Sequence, residues 1–529
     1  MTRRVAIVGG GISGLATAAL LAADGHEVEL FEARDDLGGR AGSWSAGGFR
    51  FDTGPSWYLM PEVFEHFYRL LGTSAQEQLD LIRLDPGYRV FFESGAAPFD
   101  VSADREQVLA TFERLEVGAR ARMERYLASA RETYRLALDH FLYDDFASPR
   151  SLVAAPVLRR APRLARLLLQ PLDAFAARAV TDPRLRQVLG YPAVFLGTSP
   201  YRAPSLYHLM SHLDLEDGVY YPRGGFTTLI DGIAHLARAR GAVLHTGATV
   251  TRITVEDGAA TGVEYTDGEG MIKHARTDIV VSTADLYHTE QSLLEPTQRS
   301  RSAVSWRRTD PGPSAVLVML GVRGTLPRLT HHNLLFTSDW QANFAAIEEG
   351  RVPDPASVYV CKPSETDPSV APPGHENLFV LVPLPADVLI GAGGTDGAGD
   401  ERVEAIADAA IARIADWSGE HDLAERVVVR RTVGPADFAN DLNSWRGSAL
   451  GPAHVLRQSA FLRGRVDSAR VRDVYHAGAT TLPGIGLPMC LISAELVAKR
   501  VRGVRGGGRL PEPARASGPT DPRTRSGAG

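Results

Sequence analysis

Three glycines near the N-terminus, Gly9, Gly11 and Gly14, carry the first legible chemistry. They stand as G-x-G-x-x-G between four apolar residues, 5–8, and an Ala/Leu-rich run, 12–24. That spacing suits the pyrophosphate of a dinucleotide. The first glycine makes the tight turn, the second lets the backbone approach the phosphates, and the third lets helix and strand pack closely. A helix N-terminus at this point adds free N–H groups and the positive end of a dipole. Glu32 lies 18 residues past Gly14, where a ribose-binding acid belongs. Gly38-Gly39-Arg40 then offers backbone N–H groups and a fixed cation suited to phosphate. Far along the chain, 474–489 repeats the strand–turn–helix pattern with Gly478, Gly484 and Gly486. Two such turns, hundreds of residues apart, suit a long ligand touched at two ends.

The elements that must position these residues follow from hydrophobic period and breakers. Residues 5–8 and 27–31 read as buried strands, with 12–24 as a helix stopped by Gly25. A helix is expected from Pro61 to about Leu71. Residues 104–190 lack strand alternation and read as helices over 104–126, 131–141 and 152–180. A second α/β signal starts at 220–225, with a helix over 226–240 and strands over 242–245, 249–255, 262–265 and 278–281. Residues 314–321, 378–382 and 426–431 are strand-like, 401–416 a helix, and 490–501 the last helix. The run 391–399 is glycine-rich, but it lacks the strand–turn–helix setting and its acids would repel phosphate; it reads as a flexible loop. From Gly503 onward the Gly, Pro and Arg composition predicts a disordered tail.

The chain has 529 residues, too many for one core. A formal charge of −6 gives no global reason to expect nucleic acid as a partner. Two cysteines, Cys361 and Cys490, stand far apart without a metal-type spacing; each reads as a small buried apolar residue, and no metal site is expected. The N-terminal run imitates a signal peptide, but Gly9-Gly10-Gly11 breaks it and Asp24 and Glu27 follow. No stretch of about 18 apolar residues suggests a membrane span. No Ser–His–Asp set or P-loop competes with the dinucleotide reading.

Together these segments resemble the phytoene desaturase family of carotenoid enzymes, within the flavoproteins that resemble amine oxidases. The resemblance is carried by 5–32, Gly38-Gly39-Arg40, Phe51-Asp-Thr-Gly-Pro55, Tyr221-Pro-Arg-Gly-Gly225, Leu442-Asn-Ser-Trp-Arg-Gly447 and 477–488. It implies FAD, with Gly9, Gly11 and Gly14 on the pyrophosphate and Glu32 on the adenosine ribose. Gly38, Gly39 and Arg40 would line the cofactor, Gly478 and the loop through Gly486 would approach the ribityl chain or flavin ring, and the backbone of Val250 would touch adenine. The implied fold class is α/β: a Rossmann-like FAD-binding domain with a discontinuous α+β substrate domain that includes a helical membrane-facing part. Residues 1–90, 221–290 and 450–505 are expected to form the FAD domain. Residues 91–220 and 291–449 would form the substrate and membrane-association domain, and 506–529 the tail.

The implied reaction is stepwise desaturation of phytoene towards lycopene. Alternatives are another carotenoid or amine oxidase of the same fold, or a non-catalytic isoprenoid-binding escort. The implied partners are a hydrophobic polyene, a membrane surface, and oxygen or a quinone as electron acceptor. No catalytic base is assigned: Asp144, Asp145 and Arg150 also fit a solvated surface, and His476 fits a structural histidine. A local charge imbalance points to the membrane. Residues 150–186 hold eight arginines (150, 159, 160, 163, 166, 178, 184 and 186) against Asp173 and Asp182. Within them 162–170 reads as a short amphipathic helix, with Leu164, Leu167 and Leu168 on one side and Arg159, Arg163 and Arg166 on another. The expected location is cytoplasmic, peripheral on the inner face of the membrane.

Overall fold

The structure, a computed structural model, describes residues 1–147 and 154–513. A parallel sheet forms around β1 (Arg4–Val8), whose residues after Arg4 are all buried. The chain leaves β1 into α1 (Ile12–Ala23) and returns as β2 (Glu27–Phe31), in register Val5 to Val28. Farther along come α2 (Phe226–Ala239), β3 (Val243–His245), β4 (Ile279–Ser282), β5 (Val474–His476) and α3 (Leu487–Val501). The strand order is β5-β4-β1-β2-β3, all parallel. Parallel neighbours need crossovers, so helices cover the sheet and its inner strands β1 and β4 are apolar and buried on both faces, while β2 and β3 at one side keep exposed residues. α1 is apolar on every side because it is sandwiched: it packs against both α2 and α3.

The second sheet has seven strands in the order Val427–Val433, Ser314–Arg323, His375–Leu384, Val358–Cys361, His332–Phe336, Tyr88–Phe92 and Phe99–Val101. One face packs on the helix Glu401–Ser418. The expected boundary at residue 90 falls inside the strand Tyr88–Phe92, which belongs to this sheet. Four of its strands were not expected from the sequence, Tyr88–Phe92, Phe99–Val101, His332–Phe336 and Val358–Cys361. Phe99–Val101 has only three residues, and the other three are mostly buried and show no clear alternation to read.

The helical stretch departs from expectation in its breaks. The helix expected over 104–126 is two, Arg105–Leu115 and Ala119–Ala137, separated by Gly118 at φ 77°. The second helix passes through the expected gap at 127–130. In place of one helix over 152–180 stand Ala155–Arg159, Ala161–Leu169 and Leu172–Ala176. Pro156, Pro162 and Pro171 punctuate them, since proline fits a first turn but not a helix interior. The expected start at 152 and Arg150 lie outside the described residues. The tail is ordered farther than its composition predicts. Leu510 is buried and its N–H donates to Glu495 Oε1 (2.6 Å), while Lys499 Nζ donates to the Gly506 and Gly508 carbonyls. The expected tail residues 514–529 lie outside the described residues.

Candidate cofactor site

The turn after β1 is built from glycines with different physical reasons. Gly9 has φ +102°, a conformation other residues resist. A Cβ on Gly14 would lie 2.0 Å from the Gly9 carbonyl oxygen, so helix and strand touch only because it is absent. Gly11 is different. A Cβ there would meet nothing nearer than the Gly38 oxygen at 3.8 Å, and its backbone faces open space at the N-terminus of α1. No side chain caps that helix end.

Glu32, nearly buried, braces the turn. Its Oε2 accepts from the Gly10 N–H (2.6 Å) and its Oε1 from the Arg34 N–H (3.0 Å). A carboxylate has about four lone-pair sites, so two stay free for other donors. The Gly38 N–H donates to the Gly10 carbonyl (2.9 Å), and a Cβ on Gly39 would lie 3.4 Å from the Gly11 Cα. The two glycine motifs therefore lie directly against each other. Val250 sits in the strand Thr249–Glu256, buried with Val8, Phe31 and Ala248. The chain entering that strand is tied to the Glu32 segment, the Ala248 N–H donating to the Glu32 carbonyl (2.8 Å).

Arg40 reaches across the molecule. Its Nε donates to the Ala449 carbonyl (2.9 Å) and its Nη2 to Ser444 Oγ (2.8 Å), which joins the first turn to the segment 442–449. Asp52 joins two further motifs: its carboxylate accepts from the Phe226 N–H (2.9 Å) and Thr227 N–H (3.3 Å) at the start of α2. Burial pushes the Asp52 carboxyl up to about 6. At the other end, Gly478 (φ +115°) donates its N–H to Ser493 Oγ (3.0 Å) in α3. Gly486 (φ +117°) is the residue from which α3 starts. Ser13 Oγ of α1 donates to the Cys490 carbonyl (3.3 Å), which holds the N-terminal halves of α1 and α3 together. The sequence-distant turns thus converge on one place.

Three contributors to this site escaped the sequence reading. Thr283 Oγ1 donates to the Val8 and Gly9 carbonyls (3.0 and 2.9 Å) at the end of β1. Arg463 is buried behind the 478–486 loop, donating to the carbonyls of Thr481, Ala479 and Pro452. Burial lowers it to about 10. Asp285 is buried near Arg40, which opposes the rise that burial imposes on its carboxyl. None carries a motif; only the fold brings them here.

The acids and histidine weighed as bases are structural in their surroundings. Asp145 pairs with Arg500 (3.0 Å), and Asp144 accepts from the Phe146 N–H (2.7 Å). His476 is buried in β5, and burial lowers it to about 4. Cys361 and Cys490 are both buried. A cleft of about 410 Å³ is lined by Glu62, Tyr134, Arg135, His212 and Asp217. None of the glycine turns lines it, and its charged wall does not suit a hydrocarbon.

The chain matches the flavin containing amine oxidoreductase family over residues 12–502 and belongs to it. Within that class it belongs with the carotenoid desaturases. It is 40% identical to a carotenoid 3,4-desaturase of Haloarcula japonica, over 94% of this chain and 97% of that one. It is 36% identical to a zeta-carotene-forming phytoene desaturase of Myxococcus xanthus, over 94% of each. Among solved structures, an oxidoreductase from Methanosarcina mazei shares the fold with a TM-score of 0.62 at 17% identity, over 93% of this chain and 98% of that one. The protein is an FAD-dependent oxidoreductase. The residues present fit that cofactor: an uncapped helix N-terminus behind a glycine whose missing Cβ no part of the chain requires is the cradle a pyrophosphate takes.

Proposed function

We propose that this protein is a carotenoid desaturase that removes hydrogen from a linear polyene, acting stepwise on phytoene towards lycopene. Gly9, Gly11 and Gly14 with the N-terminus of α1 would hold the FAD pyrophosphate. Glu32 would hold the ribose through its free lone pairs, and Gly38, Gly39 and Arg40 would line the cofactor. Val250 would contribute backbone to adenine, and Gly478 through Gly486 would lie towards the flavin ring. When bound, FAD supplies a two-electron acceptor for a C–H bond.

The observation that carries the substrate class is the likeness to carotenoid desaturases over 94% of the chain. An aromatic cluster agrees with it: Trp57, five residues after the strand Phe49–Asp52, stands among Tyr88, Tyr191, Phe195 and His332, with ring centroids 4.4–6.0 Å away. Of these rings Trp57 and Phe195 are half-buried and are the ones left to meet a hydrocarbon without polar atoms. Expression in cells that accumulate phytoene, with pigments resolved by chromatography, tests the reading. More highly unsaturated products are expected; unchanged phytoene overturns this step. A second reading, 3,4-desaturation, is favoured by the 40% identity to the Haloarcula enzyme. Lycopene-accumulating cells separate the two, because only that activity converts lycopene further. Phytoene and lycopene both left unchanged by flavin-loaded protein would favour the escort or another oxidase.

The same reading includes a membrane face, since such a substrate resides in the bilayer. Leu158, Leu168 and Leu169 are exposed at 54%, 36% and 76%, with exposed Ala161, Pro162 and Ala165 between them. Arg159, Arg166 and Arg178 are exposed and form no ion pair among the described residues. A basic rim around apolar residues suits anionic lipid on an inner membrane face. The face differs from the sequence expectation. Leu167 is buried, and Arg160 and Arg163 both pair with Glu132. The described residues contain no helix long and apolar enough to cross a membrane.

A further inference from the structure

His331, His332 and Cys361 meet where two inner strands of the seven-stranded sheet begin and end, all buried to 2% exposure or less. His332 opens the strand His332–Phe336, Cys361 ends Val358–Cys361, and the antiparallel register sets these two opposite each other. The two imidazoles meet edge to face, with centroids 4.5 Å apart. One donor atom from each of the three side chains lies within 4.8 Å of the others.

Their hydrogen bonds are used asymmetrically. His331 Nδ1 meets Thr366 Oγ1 at 2.7 Å, and His332 Nδ1 meets the Tyr359 hydroxyl at 2.8 Å. Both Nε2 atoms are buried with no hydrogen-bond partner among the described residues. A buried polar atom left so is destabilising, and two sit together here. The polyene of the proposed reaction has no polar atom to offer them.

We propose that His331, His332 and Cys361 are a binding site for a thiophilic first-row metal ion, zinc or copper. Two imidazole nitrogens and one thiolate are a donor set these ions take, whereas magnesium, calcium and manganese prefer oxygen. The Thr366 and Tyr359 hydroxyls supply the outer contacts that hold Nδ1 as N–H and leave Nε2 as the ligand lone pair. Burial keeps both imidazoles neutral, His331 down to about 3 and His332 well below its ordinary value. Neutral imidazole is the ligating form. Burial also pushes the Cys361 thiol up, so an ion entering the site displaces its proton to solvent as the metal–sulfur bond forms. Bond lengths of about 2.0–2.3 Å set ligand atoms roughly 3.3–3.8 Å apart, so the set contracts by about an ångström at its widest. The ion would clamp two strands beside Tyr359, whose hydroxyl also meets Ser56 (2.6 Å) in the segment next to the cofactor turn. The sequence hid the site because its two parts are separated by a long excursion between the paired strands.

The test uses the full flavin-loaded chain, purified without nickel or chelator, with metal content read by mass spectrometry. One zinc or one copper per chain is expected, and the element found identifies the ion. Metal-stripped protein is then titrated with Zn²⁺, and anaerobically with Cu⁺, against a chromophoric chelator. Cys361→Ser should weaken binding by at least about tenfold, and Thr366→Val, which removes only an outer contact, by about 10–100-fold. Unchanged FAD content checks that each variant is folded. If Cys361→Ser does not fold, Thr366→Val and the wild-type titration decide. Wild type that contains neither metal and takes up neither overturns the proposal. Variants that bind like wild type overturn it as well, because the metal is then held elsewhere.

Discussion

At Gly11 the fold tolerates a Cβ, whereas Gly9 and Gly14 are glycine for the chain's own backbone geometry. A side chain at Gly11 therefore obstructs only what lies outside the protein. Gly11→Val should leave a folded chain that purifies without FAD and melts at a lower temperature, because the bound cofactor no longer stabilises it. Stoichiometric flavin in that variant would sink the assignment of this turn. Asp214 offers a residue-scale test of a different kind. It is buried, its Oδ2 accepts from the Tyr88 (3.0 Å) and Tyr191 (2.7 Å) hydroxyls, and its Oδ1 has no hydrogen-bond partner among the described residues. Burial raises its carboxyl from 3.8 to about 7. The folded chain keeps this proton between those values while the unfolded chain releases it. Its contribution to stability is therefore full below about pH 4 and is lost as pH rises towards 7. Asp214→Asn keeps the acceptor and cannot ionise. Its melting temperature should fall less than that of wild type between about pH 4.5 and 7.5. Equal slopes would assign the pH dependence to other groups.

At the scale of elements, the short helices Ala155–Arg159 and Ala161–Leu169 carry one arginine tied into the fold and others without a tie among the described residues. Arg163 is tied to Glu132, Ser129 and Thr133, so it anchors the helix to Ala119–Ala137. Arg159 and Arg166 have no such tie. A second apolar patch, Leu456, Phe461 and Leu462, is 45–61% exposed. It is linked to the same region through Tyr207, whose hydroxyl meets Ser459 Oγ at 3.3 Å. The double variant Arg159→Glu, Arg166→Glu should release the protein from anionic liposomes and keep FAD, with wild-type binding weakened by salt. Arg160→Glu, Arg163→Glu should instead lower the melting temperature, because those side chains would face Glu132. Co-sedimentation of the first variant at the wild-type level would remove this helix from the membrane face.

For the whole molecule, residues 503–513 act as a strap. His66 contacts Glu495 (3.1 Å) and Glu512 (2.8 Å), and Lys499 holds the Gly506 and Gly508 carbonyls. These contacts tie the end of α3 to the helix Pro61–Leu70 and to Tyr143, whose carbonyl also accepts from Lys499 (2.9 Å). A chain ending at 513 should melt like the full protein. One ending at 502 should melt several degrees lower, because Glu495 and Lys499 lose buried partners. Equal melting of the two truncations would show that the strap contributes nothing to stability.

What the sequence determined by itself was whatever rests on local pattern. The strand Glu27–Phe31 and the start of α1 at Ile12 match their expected bounds, since glycine turns and apolar runs are read over a few residues. The dinucleotide-binding turn followed from the glycine spacing, and the flavoprotein class from the resemblance that the motifs carry. Tertiary structure decided whatever depends on distant partners. The strands His332–Phe336 and Val358–Cys361 are mostly buried, so no clear periodicity marks them. Leu510 looked like part of an unfolded tail until α3 and Pro61–Leu70 supplied partners for it and for Glu512. Arg160 and Arg163 had no visible partner until Ala119–Ala137 brought Glu132 beside them. Composition states which charges and apolar groups a segment carries; only the packed chain decides which of them already have a partner.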